Sequence, residues 1–216
     1  MAKTVKGESP SNSGRGQART RLARRAVIDT ARTLFLERGY AATTVEAISE
    51  HSDVPIATVY RLFSSKLGIL KALLDISIAG DDDALALQDR HEIASLFTED
   101  DPHKLLSGFA AVTAAINERT NDVYHVLVSA AGSEPGAAEL LDELQQQRDR
   151  GQGQLARSLA RARARALKPG LRERDAADVI HALMSPELYR LLVRDRRWSP
   201  ERYRQWLAST LTQQLT

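Results

Sequence analysis

Side chains that can donate hydrogen bonds gather between residues 43 and 66, TTVEAISEHSDVPIATVYRLFSSK. They include the hydroxyl, guanidinium and ammonium groups of Thr58, Tyr60, Arg61 and Lys66. Such groups bond to phosphate oxygens, and an arginine can also read the edge of a guanine. Ile56 and Ala57 offer only apolar contacts, for instance with a thymine methyl group. The chemistry of this stretch is therefore the binding of a polyanion.

The same stretch has the pattern of two short helices joined by a tight turn. Thr43 and Glu46 form a capping box, T-x-x-E, that predicts the start of the first of them. Residues 52–54 predict the turn, and Pro55 suits the first position of the next helix, where no backbone N–H is needed. Apolar residues at helical spacing predict the inward faces: Val45, Ile48, Val59 and Phe63. A further helix is predicted from Lys66, capped by a serine of the preceding pair.

An apolar face at helical spacing predicts a supporting helix over residues 19–38, ended by Gly39. Its members are Val27, Ile28, Ala31, Leu34 and Phe35. A supporting helix, a short helix, a turn and a second short helix make up a helix-turn-helix. The second short helix, about residues 55–62, would enter the major groove, with Ile56, Ala57, Thr58 and Arg61 outward and Tyr60 partly so.

Charge separates the first third of the chain from the rest. Residues 1–75 hold 12 Lys and Arg against 7 Asp and Glu, and the remainder holds 18 against 21. A polyanion would therefore meet the first third.

Residues 1–18 lack apolar side chains able to form a core and are predicted to be a disordered basic arm. The arm is either a solubilising tail or a contact to phosphate or the minor groove.

Composition predicts an all-α protein. Of 216 residues 43% are apolar, strand-like alternation is absent, and Gly and Pro are few. No apolar run is long enough to span a membrane, and the N-terminus does not resemble a secretory signal. With no cysteine, a soluble cytoplasmic protein is the simplest expectation.

Helical patterns continue through residues 67–216. We expect helices over 84–97, from Pro102 onward, over 137–167, over 173–194 with a kink at Pro186, and from Ser199-Pro200. The last two have large apolar faces that a monomer would leave exposed, which predicts a subunit interface between helices.

Patterns typical of enzymes and metal sites are weak. G-x-S-x-G is absent, and His91-Glu92 lacks the second histidine of a zinc motif. Residues 81–83 are three aspartates without the spacing of a calcium loop, so we expect a solvated loop, and neither a metal nor a cofactor. GQGQLA at 151–156 follows no strand, which argues against a dinucleotide site. Arg157, Arg161 and Arg165 are expected to be a solvated or interface stripe.

The spacing of the N-terminal motifs resembles the tetracycline-repressor (TetR) family of transcriptional regulators. The pattern is F-x-x-x-G-Y-x-x-T-T-V-x-x-I, a turn, then T-V-Y-x-x-F-x-x-K, formed here by Phe35, Gly39, Tyr40, Thr43, Thr44, Val45, Ile48, Val54, Thr58, Val59, Tyr60, Phe63 and Lys66. The chain departs from the family where Asp53 replaces the usual turn glycine and where Pro55-Ile56-Ala57 begins the third helix. Asp tolerates a left-handed backbone better than most residues.

The resemblance implies an N-terminal helix-turn-helix domain, residues 19–66, that binds double-stranded DNA. It implies that residues 67–216 bind a small molecule and form a homodimer through the last two helices. Thr44, Thr58, Tyr60 and Lys66 fall on phosphate-contacting positions, and Ile56, Ala57 and Arg61 on base-facing ones.

By the same resemblance the effector lies among the middle helices of the C-terminal domain. Candidate ligand-binding residues by position are Phe109, Val112, Ile116, Asn117, Tyr124, His125, His181 and Met184. The implied function is a ligand-responsive regulator, a repressor that a small molecule releases from an inverted-repeat operator. The helix after Lys66 joins the two domains and would transmit the signal. The alternative is a helical dimeric interaction scaffold that has lost DNA binding.

Overall fold

A computed structural model describes residues 12–80, 91–161 and 166–216, and within these ranges the regular structure is helical throughout, as predicted. A π-helical turn, Arg190–Asp195, lies between the last two α-helices. The α-helices are α1 (Asn12–Ala42), α2 (Val45–Ser52), α3 (Ile56–Phe63), α4 (Lys66–Ala79), α5 (His91–Leu96), α6 (Pro102–Ala131), α7 (Pro135–Arg161), α8 (Glu173–Leu183), α9 (Pro186–Tyr189) and α10 (Pro200–Leu215). The aspartates at 81–83 and Arg165 lie outside the described residues.

The chain forms two compact units, Met1–Leu73 and Leu74–Thr216. The division falls inside α4, whereas the sequence prediction placed it at the first residue of that helix. One helix thus supplies its N-terminal part to the first unit and its C-terminal part to the second.

The first unit is built on α1. Its predicted apolar face is buried, and the rings of Phe35 and Tyr40 stack with centroids 5.6 Å apart. Gly39 has φ 78° and interrupts the helical geometry where the stop was predicted. The helix begins at Asn12, so residues 12–18 are helical where disorder was expected.

The second unit is a bundle in which α6 packs against α7 and α10, and α7 packs against α8. Asp101 caps α6, with its Oδ1 accepting from the His103 N–H at 2.9 Å, and Pro102 takes the first position. Helix α7 continues through Gly151 and Gly153 and is described to Arg161, short of the predicted 167.

Pro186 divides the predicted helix 173–194 rather than kinking it. Helix α8 ends at Leu183, and Ser185 caps α9 with its Oγ 3.1 Å from the Leu188 N–H. Because proline lacks an N–H, it fits the first position of a new helix and disrupts the interior of a continuous one.

The final helix begins as predicted, with the Ser199 Oγ accepting from the Arg202 N–H at 3.2 Å and Pro200 in first position. Its inward residues, Tyr203, Leu207, Leu211 and Leu215, are fully buried, and α10 packs against α6 within the same unit. The apolar face of α10, from which a subunit interface was predicted, is therefore mostly buried within the same chain. This face alone does not indicate a subunit interface. Along the described part of the chain, no helix combines the length and apolar character that crossing a membrane requires.

Candidate functional site

The turn between α2 and α3 is built on a left-handed residue, Asp53, with φ 54° and ψ 32°. Its N–H and that of Val54 donate to carbonyl oxygens of the last turn of α2, at 3.4 Å and 3.2 Å. The Ser49 hydroxyl donates to the Val54 carbonyl at 2.7 Å. Asp therefore occupies the conformation for which glycine is the usual residue, and the turn has the predicted tight form.

Helix α3 begins one residue later than predicted, because Pro55 is its N-cap, with an extended ψ of 136°, rather than its first helical residue. The Pro55 carbonyl accepts from the N–H groups of Thr58 (2.7 Å) and Val59 (3.1 Å). Val59 and Phe63 are buried, which fixes the rotation of α3 about its axis.

That rotation turns the predicted DNA-facing side chains outward. Ile56, Ala57, Tyr60 and Arg61 are exposed and Thr58 is half-buried. Tyr60 is 45% exposed and Ile56 38%, high values for large apolar side chains. One face of α3 therefore presents a phenol, a guanidinium and a short apolar patch to solvent.

Thr44, not Thr43, caps α2, which corrects the predicted capping box. The Thr44 Oγ1 accepts from the Ala47 N–H at 3.1 Å. Thr43 is buried, and its hydroxyl lies 3.1 Å from the Leu34 carbonyl and 2.8 Å from the Gly39 carbonyl. Since the cap bond uses an acceptor lone pair, the exposed Thr44 hydroxyl keeps its proton for an external acceptor.

Lys66 is already engaged inside the first unit. Its Nζ donates to the Tyr40 carbonyl at 2.8 Å and lies 4.1 Å from the centroid of the Tyr40 ring. Ser65 caps α4, with its Oγ 3.0 Å from the Gly68 N–H. An ammonium has three donors, so this anchor leaves capacity for a phosphate contact at the helix N-terminus.

Arg24 is a second basic residue held near α3, and sequence patterns did not single it out for this role. Its guanidinium carbon lies 5.2 Å from the centroid of the Phe63 ring, within cation–π range. Arg19, Arg21 and Arg25 of the same helix are exposed, and Arg25 lies 3.8 Å from the Asp29 carboxylate. Arg19 and Arg21 therefore remain available to a polyanion.

The second unit contains a cavity of about 490 Å³, within the size range of small-molecule sites. It is lined mainly by apolar residues of α4, α5, α6 and α7, together with Met184 and Pro186. Of the predicted ligand-binding residues, six line it: Phe109, Val112, Ile116, Asn117, Tyr124 and Met184. The cavity is thus placed among the middle helices, where the resemblance implied an effector.

The two predicted histidines are not among the lining residues. The His181 Nδ1 lies 2.9 Å from both the Asp149 Oδ1 and the Gln152 Oε1, so it joins α8 to α7. His125 has a pKa lowered by burial and then by the positive charge of Arg190. Both residues were predicted from their position between apolar neighbours, which does not distinguish an inner face from the flank of a helix.

The mostly apolar wall of the cavity also contains polar side chains. The Tyr124 hydroxyl donates to the Glu187 Oε1 at 3.0 Å, and burial, followed by the nearby Glu187 charge, raises the pKa of Tyr124. Arg148 also lines the cavity, and sequence reasoning missed it. The available signal was its spacing, four residues after the inward-facing Leu144 on the same helix.

Among the described residues, no group of three or more histidine and acidic side chains is arranged to hold a metal ion.

The outward face of α3, supported by α1 and α2, defines the first unit as a helix-turn-helix domain. Residues 27–73 match the family described as bacterial regulatory proteins, tetR family. These residues are thus similar to that family, the resemblance that their spacing predicted.

A curated relative supports the same assignment over a limited stretch. The uncharacterised HTH-type transcriptional regulator YvkB of Bacillus subtilis is 42% identical over 48 residues, which are 22% of this chain and 25% of that protein. The match thus spans only about a quarter of the relative's length.

Solved structures share the fold over nearly the whole chain. NalD, described as the secondary repressor of the MexAB-OprM multidrug efflux pump in Pseudomonas aeruginosa, has a TM-score of 0.68 at 21% identity, covering 91% of this chain and 98% of that one. The regulator FadR of Bacillus subtilis, solved with stearoyl-CoA, has a TM-score of 0.64 at 15% identity, covering 88% and 98%. At these identities the likeness extends to the fold alone.

Proposed function

We propose that this chain is a ligand-responsive transcriptional regulator that represses from an inverted-repeat operator and leaves it when a small molecule binds. The observation that carries the proposal is the exposed face of α3, where Tyr60 and Arg61 point away from the core. On that face, the exposed Ile56 suits an apolar contact in the major groove and the exposed Tyr60 suits a hydrogen bond to phosphate.

The proposed DNA contacts divide into two groups. Thr44, Thr58, Tyr60 and Lys66 bond to phosphate and set the position of α3 on the duplex without reading sequence. Arg61 and the apolar pair Ile56 and Ala57 read base edges, so the operator preference rests on few polar contacts. The exposed arginines of α1 add affinity through phosphate, which makes binding sensitive to salt.

The response to a ligand rests on the cavity of the second unit. Leu74 and Ile78 line the cavity and belong to the same helix, α4, that begins with Lys66. A ligand that packs better against one position of this helix than another shifts the populations of DNA-competent and DNA-incompetent states. Helical regulators of similar fold have been solved with an effector-like ligand, as the stearoyl-CoA complex of FadR illustrates.

A homodimer is the proposed assembly, since an inverted repeat is read by two symmetric copies. Buried residues of α10 are occupied within the chain, but Leu191, just before it, remains 49% exposed. We expect Leu191→Asp to shift the protein from dimer to monomer in sedimentation, because a buried charge opposes association. Leu22→Asp is the matched control, since Leu22 is 70% exposed in the first unit. An unchanged dimer in the Leu191 variant would contradict the assignment of this surface.

Footprinting of the DNA that flanks the gene tests the function itself. We expect one protected inverted repeat, bound with an affinity in the range of specific regulators, about 10⁻⁸ M or tighter, that falls steeply as salt rises. Protection should be lost for an Arg61→Ala variant that keeps its helical circular dichroism. If no segment is protected at low salt, DNA binding is refuted and the interaction scaffold becomes the better description.

A further inference from the structure

Arg148 presents a donor in the cavity wall that the described residues do not satisfy. The side chain lines the cavity from α7, and its Nη2 atom is buried without a hydrogen-bond partner among the described residues. Buried guanidinium nitrogens are almost always paired. An unpaired guanidinium nitrogen in the wall of a cavity is therefore available to a ligand.

A second donor in the same wall is also unsatisfied. The Asn117 Nδ2, on α6, is buried and has no partner among the described residues. Burial raises the pKa of the Tyr203 hydroxyl, and the nearby Asn117 amide partly opposes this rise. The contact between the two groups does not have the geometry of a hydrogen bond. The two donors come from different helices, α6 and α7, that pack against each other.

Charge in the lining is one-sided. Among the residues that the structure describes, Arg148 and Arg150 are the ionisable basic residues of the lining, and none of the lining residues is an aspartate or a glutamate. Of the acidic residues near it, Asp149 contacts the His181 ring, and Glu187 accepts from the Tyr124 hydroxyl, where its charge raises the pKa of Tyr124. Arg150 is exposed and half-buried Arg148 carries the buried nitrogen, so Arg148 is the cation that the described lining offers to a ligand.

We propose that the ligand of this cavity is an apolar monocarboxylate, whose carboxylate accepts from Arg148 and Asn117. A carboxylate matches a guanidinium in geometry and carries the single negative charge that one inward arginine balances. The rest of the wall, including Phe97, Phe109, Val112 and Ile116, accommodates an apolar body. The proposal rests on the proposed function, since it names the class of the effector.

Titration calorimetry on the full chain tests the proposal with probes matched in shape and different in charge. The pairs are dodecanoate with dodecanol, below the micellar concentration, and a naphthoate with the corresponding naphthol. We expect at least one carboxylate to bind about tenfold or more tightly than its neutral partner, the effect of one charged hydrogen bond.

Variants assign that preference to the cavity. Arg148→Gln should remove the preference for the carboxylate, and Arg148→Lys should retain part of it. Arg157→Gln, at an exposed arginine of the same helix that does not line the cavity, should leave it unchanged. Because Arg148 lacks a partner for a buried nitrogen, we expect the thermal midpoint of Arg148→Gln to stay at or above that of the wild type, so a lost preference does not report unfolding. Equal binding of acid and alcohol, no binding of either acid, or a preference that survives Arg148→Gln would each overturn the proposal.

A parallel measurement of DNA affinity separates this proposal from the proposed function. Carboxylate binding that depends on Arg148 but leaves operator affinity unchanged would support the ligand class and refute ligand-controlled release. Operator binding that responds to a neutral compound, with no carboxylate preference, would support the regulator and refute the ligand class.

Discussion

The ammonium of Lys66 donates to the carbonyl of Tyr40 at 2.8 Å and lies 4.1 Å from the centroid of the same residue's ring. This pair ties the first residue of α4 to the segment that follows Gly39. A residue that sequence patterns assign to phosphate is thus also a structural link within the first unit.

Lys66→Met should therefore lower stability as well as DNA affinity. The variant loses a charged hydrogen bond and a cation–π contact, and we expect the free energy of unfolding to fall by about 1–3 kcal/mol. Urea titration followed by circular dichroism measures the change. Lys104→Met, at an exposed lysine, is the control and should stay within about 0.5 kcal/mol of the wild type. Equal stability of the two variants would show that the link to Tyr40 is energetically unimportant.

Substitutions at Tyr60 and at Arg61 should change the salt dependence of DNA affinity differently. Tyr60→Phe removes a neutral hydroxyl contact, so DNA affinity should fall on all sequences with an unchanged salt dependence. Arg61→Gln removes a charge together with the proposed base contact, so affinity should fall more for the operator than for a random duplex, and the dependence of affinity on salt should weaken. Fluorescence anisotropy with operator and random duplexes measures both. Unchanged affinity for Tyr60→Phe would contradict the phosphate contact.

Asp53 should tolerate glycine better than alanine. Its φ of 54° lies in the left-handed region, where a Cβ without a polar substituent costs about 1–2 kcal/mol and glycine costs nothing sterically. We expect Asp53→Ala to lower the thermal midpoint and Asp53→Gly to match or exceed the wild type. A reversed order would mean that the Asp53 side chain, rather than its backbone conformation, stabilises the turn.

The stability of the second unit should depend on pH through Tyr203. Burial raises the pKa of Tyr203 from its ordinary value of 10.0 to about 12. The folded state thus holds the phenol proton more tightly than the unfolded state does. This contribution is complete below pH 10 and is lost as the pH rises through about 12.

Tyr203→Phe should reduce this alkaline loss. The Tyr203 hydroxyl has no hydrogen-bond partner among the described residues, so the variant should lose little stability at neutral pH. Unfolding free energies measured at rising pH should decline less steeply above pH 10 than in the wild type. Tyr60→Phe, at an exposed phenol, should leave the pH profile unchanged, and a Tyr203 variant that behaves the same way would contradict the buried, protonated state.

Features coded by neighbouring residues were predicted closely. Gly39, the turn at Asp53 and the Ser199-Pro200 start each act over one helical turn, through backbone conformation or a single cap, so their consequences are visible in a short window of sequence. The prediction was wrong by one residue where two adjacent residues could each cap a helix, as with Thr43 and Thr44 at the start of α2. There the choice depended on the buried carbonyls of Leu34 and Gly39 that Thr43 meets.

The sequence by itself determined the helical class, the helix-turn-helix pattern of the N-terminal residues and the side chains that α3 turns outward, because periodicity and caps are local properties. The tertiary structure decided which apolar faces pack together within the chain, including that of α10 against α6. It also decided that Arg148, rather than His125 or His181, lines the cavity. These outcomes depend on which segments distant in sequence become neighbours. A guanidinium without an acceptor becomes visible only when every group around it has been placed.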